Sequence, residues 1–117
     1  MKVDDEIDID RDRQYFLNLY TIRYHGRDIG FFSFVHMKGG CYIHQFEIDD
    51  AFQGKKIGSR VYRFFERNML KKDRVEVSSM DYSVEFWKKM GFQRTGSVRE
   101  KSVMMYKEVT SPRSASR

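Results

Sequence analysis

At 117 residues, with 40% apolar and 15% aromatic side chains, the chain holds hydrophobic material for one domain and not for two. No run approaches the ~18 apolar residues of a membrane span, the acidic start is the reverse of a basic signal-peptide leader, and one cysteine excludes an intrachain disulfide. The reducing cytoplasm is the expected compartment, and the net charge of +5 divides into −3 over residues 1–14 and +8 over the rest.

A basic body fits nucleic acid, an anionic cofactor or plain solubility, and selects none of them. In residues 1–14, Ile7 and Ile9 alternate with acids, so this stretch is either a short edge strand or a solvated arm. Tyr15 to Tyr24 is β-branched and aromatic and predicts a strand. His25-Gly26-Arg27-Asp28 predicts a turn, Ile29 to Met37 a returning strand, Lys38-Gly39-Gly40 another turn, and Cys41 to Ile48 a third strand. This half is an antiparallel meander.

Asp49-Asp50-Ala51-Phe52 turns a corner, and Gln53 to Ser59 is a basic loop with two glycines. The helix predicted from about Ile57 to Lys71 buries Ile57, Val61, Phe64, Phe65 and Met69, and carries Lys56, Arg60, Arg63, Arg67 and Lys71 on its other side. Arg74 to Ser79 is a short strand. Asp81 is the expected N-cap of a helix over Tyr82 to Met90, with Ser83, Phe86, Trp87 and Met90 on one side and Gly91 as its left-handed cap. Phe92 to Val98 and Ser102 to Glu108 predict a terminal hairpin, and Thr110 to Arg117 a disordered tail. The order is β-β-β-α-β-α-β-β, one mixed α/β (α+β) domain over residues 1–109. A right-handed crossover through the first helix makes the two strands that it joins parallel.

A pyrophosphate needs converging N–H donors, a backbone that can come close, and a helix dipole favouring anions. Gly54 and Gly58 give close approach, and Lys55, Lys56 and Arg60 give positive charge. Two glycines beside two lysines are a weak signal alone; their place between a strand and an amphipathic helix strengthens it. Cys41 has no paired base in view and reads as a small buried hydrophobe. No His/Cys cluster has metal-ligand spacing.

These residues resemble the acyl-CoA-binding motif of the Gcn5-related N-acetyltransferases (GNAT), Gln/Arg-x-x-Gly-x-Gly/Ala. Gln53 and Gly58 match it, and Lys56 stands where its first glycine is expected. Phe86-Trp87-Lys88-Lys89-Met90-Gly91-Phe92 resembles the family's aromatic-rich helix followed by Gly-Phe, so the likeness covers residues 41–108. The resemblance implies a GNAT-like mixed sheet and acetyl-CoA as cofactor. Gln53, Gly54, Lys55, Lys56, Ile57, Gly58 and Ser59 would hold the pyrophosphate. Phe46, Glu47 and Ile48 would pair with the pantetheine, and Ser83 and Phe86 would lie beside the coenzyme.

It further implies direct attack of a primary amine on the thioester, with a main-chain N–H near Ile48 polarising the carbonyl. Glu47 is the implied base, acting through water; His44 is a second candidate, placed on the opposite face by strict alternation. The position of the family's proton-donating tyrosine is Trp87 and that of its pantetheine-holding asparagine is Met80, which leaves Tyr82 as the nearest substitute donor. The family's first strand and its next two helices are expected to be missing. That opens the acceptor side to a macromolecular amine or to a second subunit of a homodimer. The expected function is an N-acyltransferase acting on a small-molecule or protein amine. The alternative is a coenzyme-binding or regulatory module without turnover. A nucleic-acid module on the row Arg60, Arg63, Arg67 and Lys71 ranks last, because no aromatic–glycine single-strand reader lies beside it.

Overall fold

The structure, a computed structural model, describes residues 1–13, 18–69, 74–99 and 102–109. Its elements are β1 (Ile7–Asp12), β2 (Asn18–Tyr24), β3 (Arg27–Met37), β4 (Gly40–Ile48), α1 (Ile57–Asn68), β5 (Arg74–Met80), α2 (Val84–Lys89), β6 (Gln93–Arg99) and β7 (Ser102–Glu108). Short 3-10 turns at Asp50–Phe52 and Asp81–Ser83 precede the two helices. The seven strands form one mixed sheet in the order β1-β2-β3-β4-β5-β7-β6, with β4 and β5 parallel across the α1 crossover. Among the described residues, no helix is long and apolar enough to cross a membrane.

Residues 7–12 settle the open alternative as an edge strand. Ile7 and Ile9 are buried while Asp8 and Asp10 face the other way, and β1 pairs along its whole length with β2. The first strand expected to be missing is therefore present, and only five residues separate it from β2. That length leaves no room for a helix pair. The expected strand start at Tyr15, Lys71 at the expected end of the helix, and the tail from Thr110 lie outside the described residues; α1 itself closes at Asn68, with Met69 as its cap.

Both helices pack on one face of the sheet. Phe65 of α1 meets Phe32 and Phe34 edge-on, and Trp87 of α2 meets Phe46 and Tyr62 edge-on. Tyr62, outside the expected stripe, is fully buried, whereas Phe64 and Met69 are only half-buried. The opposite face carries no helix among the described residues. Asp81 does not cap α2: it opens the 3-10 turn, and the cap residue, Ser83, makes no side-chain capping bond. Gly91 does take the left-handed turn, at φ 98°.

Candidate functional site

β4 and β5 stay together for four residue pairs, Gly40↔Arg74 to Ile43↔Val77, and then part. Two local features shape the fork. At its closed end Gly40 lets the strands approach so closely that a Cβ there would collide with the main chain of Arg74. At its open end the register with β3 shifts between Ser33 and Phe34, leaving His44 as an extra residue between Ile43 and Gln45. Such a bulge bends a strand and increases its twist. It also breaks the strict alternation that set His44 against Glu47: both now line the space between the strands.

That space is a cleft of about 630 Å³, walled by His44 to Ile48 on β4, Val77 to Met80 on β5, and Gln53, Tyr82, Ser83 and Trp87. The N–H of Asp49 donates to Ile29 O at 2.7 Å, toward β3. Main-chain direction reverses at each residue, so the N–H of Ile48 faces the parted side. Gln53 Nε2 donates to Ile48 O at 2.8 Å and to Asp50 Oδ1 at 3.1 Å, so its amide braces the corner from within.

The basic loop runs from Gln53 into α1. Its cap residue, Lys56, adopts φ 60°, a left-handed conformation that favours glycine. No side chain caps this end, and helix geometry leaves the first amides, at Ile57, Gly58 and Ser59, without intrahelical acceptors. Gly58 serves packing: a Cβ there would lie 3.1 Å from the Phe86 ring. Lys55 and Lys56 are exposed, and Ile57 turns inward to the core.

The structure thus gathers Phe46, Glu47, Ile48, Gln53, Tyr82 and Ser83 around one cleft. Phe86 lies behind it, against Phe46 and Trp87. Glu47 is exposed, and Tyr82 is 83% exposed. Trp87 is 4% exposed, fixed by edge-on contacts with Phe46, Tyr62, Phe86 and Phe92. The Tyr62 hydroxyl is buried without a hydrogen-bond partner, and burial, with Glu66 nearby, pushes its pKa up. Burial likewise pushes the Cys41 thiol up to about 12, which removes it as a nucleophile at neutral pH. Among the described residues no cluster of His, Cys, Asp or Glu is placed to hold a metal ion.

Arg60 leaves the basic row. Its Nε donates to Asp4 Oδ2 at 2.9 Å, and its terminal nitrogen reaches Asp4 Oδ2 at 2.7 Å and Glu6 Oε1 at 2.9 Å. The turn holding these acids is itself ordered, because Asp4 Oδ1 accepts the N–H groups of Glu6 and Ile7, both at 2.9 Å. Glu6 Oε2 accepts from the Tyr24 hydroxyl and faces His25 Nε2. Burial alone would raise the Asp4 carboxyl; the amides of Glu6 and Ile7 and the Arg60 guanidinium outweigh it and hold the pKa below its ordinary value. Arg60, then Tyr24 and His25, lower Glu6 in the same way. The edge strand is thereby clasped to the first turn of α1. Arg63 and Arg67 remain exposed, as do Lys88 and Lys89 on α2.

The family profile of the acetyltransferase (GNAT) domain matches residues 9–106. No curated protein sequence matches the chain. Among solved structures, a GNAT family acetyltransferase from Elizabethkingia anophelis with acetyl-CoA bound aligns at TM-score 0.73 and 13% identity, over 91% of this chain and 100% of that one. Naa50 from Arabidopsis thaliana, in complex with the bisubstrate analogue CoA-Ac-MVNAL, aligns at TM-score 0.68 and 12% identity, over 88% and 99%. PaiA N-acetyltransferase from Thermoplasma acidophilum, in complex with coenzyme A, aligns at TM-score 0.65 and 13% identity; 79% of this chain covers 60% of that one. At these identities the likeness is one of fold.

Proposed function

Because the chain belongs to the GNAT acetyltransferase family, we propose that it is an acetyl-CoA-dependent N-acyltransferase acting on a primary amine. The observation that carries this reading is the fork between β4 and β5, which presents the Ile48 N–H beside a capless helix N-terminus flanked by Lys55 and Lys56. The fit is chemical. Amides at Ile57, Gly58 and Ser59 and two lysines suit a diphosphate, and a strand edge freed of its neighbour suits an extended amide chain such as pantetheine.

Bound acetyl-CoA would supply a thioester: the neutral amine nitrogen would form a C–N bond to its carbonyl carbon and shed its remaining surplus proton to water as the C–S bond breaks, and the departing thiolate would take up a proton. The protein has three tasks in that exchange. The Ile48 N–H donates to the carbonyl oxygen as negative charge grows on it. Glu47, exposed on the same strand, accepts the proton that the ammonium must shed, since a lysine amine ordinarily holds it up to pKa ~10.4. Tyr82, at the cleft mouth, donates to the departing sulfur, the task that Trp87 cannot perform.

A second reading rests on Trp87. An indole locked among four aromatic rings stands at the family's acid position, which favours a domain that binds coenzyme and turns over slowly or not at all. Calorimetric titration with acetyl-CoA, followed by a thiol-release screen over lysine peptides, polyamines and aminoglycosides, separates the two. Binding with release supports the enzyme, and binding without release to any amine supports the module. Failure of the coenzyme to bind overturns both.

A further inference from the structure

We propose that the helix-free face of β1–β4 is the docking surface for the acceptor, and that the acceptor is a basic polypeptide carrying the reactive amine. The identification of the bound chain as acceptor rests on the acyltransferase reading above; the surface itself stands on separate observations. Cross-strand pairing lays two rows over this face: Asp10, Thr21, Phe31 and Glu47 side by side, and Asp12, Leu19, Ser33 and Gln45 beside them. Each row starts at a carboxylate on the edge strand and ends at β4.

An open trough of about 680 Å³ runs along their course from β2 to β4, floored by Leu19, Thr21, Phe31 and Ser33. Gln45 lines this trough and also the coenzyme cleft, so the two meet at one residue of β4. Ser33 is 1% exposed, and its hydroxyl has no hydrogen-bond partner although it lines the trough. A buried hydroxyl without a partner is costly unless a ligand group meets it.

Charge selects the ligand. Among the described residues, Arg23 alone pairs with Asp8, Asp10 and Asp28, at 3.9, 3.4 and 2.8 Å, one cation to three carboxylates, so that cluster keeps a negative balance. Asp49 lines the trough, and Glu47 closes one row. On a chain of net charge +5, this face is acidic. Its length decides between cationic ligands. A small polyamine wants a pocket that encloses it, whereas a shallow trough crossing several strands matches an extended peptide laying alternate side chains onto apolar ground.

The test is fluorescence anisotropy with a labelled lysine-rich peptide at low salt, using the folded full chain with and without acetyl-CoA. The peptide is expected to bind and to weaken steeply with salt. It should weaken at least about tenfold in the exposed charge-reversal pair Asp28→Lys and Asp49→Lys. Asp28→Asn, which keeps the shape, should shift affinity less in the same direction. Calorimetry should give these variants unchanged acetyl-CoA binding. Equal peptide affinity in wild type and reversal pair overturns the proposal, as does spermidine binding here in preference to the peptide. Sedimentation showing a homodimer that the same reversals dissociate overturns it too, since a second copy would then cover the face. If the peptide docks while acetyl-CoA does not bind, the acyltransferase reading fails and the docking surface stands. If acetyl-CoA binds and the peptide does not dock, only this proposal fails.

Discussion

Gly40 lies against the carbonyl of Arg74, and the absence of a side chain at position 40 is what lets β4 and β5 close there before they part beyond Ile43 and Val77. Gly40→Ala must drive the strands apart at the point that holds the fork together. We expect it to lower stability by about 2–3 kcal/mol, the upper part of the range for overpacking, read from urea unfolding. A loss within experimental error would mean that the strands can separate freely at this end.

Lys56 bears a left-handed backbone at φ 60°. An L-residue pays ~1–2 kcal/mol for that conformation, and glycine gives part of it back through greater unfolded-chain freedom. Lys56→Gly should therefore gain about 0.5–1 kcal/mol in stability while weakening acetyl-CoA through loss of one cation. Paired urea and calorimetric titrations check both. A variant that is less stable would show that the Lys56 side chain makes up for its backbone.

The clasp of Asp4 and Glu6 on Arg60 responds to acid. Both carboxyls are held below their ordinary pKa values in the folded chain, so their contribution is complete at neutral pH. It is lost as pH falls below about 4 and through the folded-state values. Unfolding at pH 7, 5 and 3 of the wild type and of the pair Asp4→Asn, Glu6→Gln should show a stability gap that narrows with acidification. A gap that holds constant would assign it to something other than ionisation.

Glu47 and Tyr82 are both exposed, so Glu47→Gln and Tyr82→Phe should change stability by no more than about 0.5 kcal/mol. On the proposed chemistry each lowers kcat by about 10²-fold or more, leaving acetyl-CoA affinity within a factor of about two. Thiol release under saturating coenzyme reads the first quantity and calorimetry the second. Full activity in either variant would remove that side chain from the reaction.

Local spacing made the meander, the crossover and both helices legible, because period-two and period-3.6 patterns report which face of an element is buried. What it could not reach lies in long-range partners. Arg60 belongs to a row of surface cations until Asp4 and Glu6, 56 and 54 residues upstream, are brought to it. Ile7 and Ile9 among acids suit a solvated arm as well as an edge strand until β2 supplies the pairing. The bulge at His44 leaves no mark in composition, and it moved a histidine from the expected face to the cleft. Tyr62 lies outside the expected stripe, yet α1 turns it inward against Trp87. Gln53 and Gly58 carry the loop's resemblance to the family motif, and the structure gives Gln53 an internal brace and Gly58 a packing role.

Arg63, Arg67, Lys88 and Lys89 stand exposed on the helical side, while Asp8, Asp10, Asp28 and Glu47 belong to the other. The molecule is thus an electric dipole whose overall charge understates both ends. Near neutral pH it should be retained by anion-exchange as well as cation-exchange resin, each gripping a different side. Dilute buffer should draw neighbouring molecules together back to front, and modest salt should disperse them.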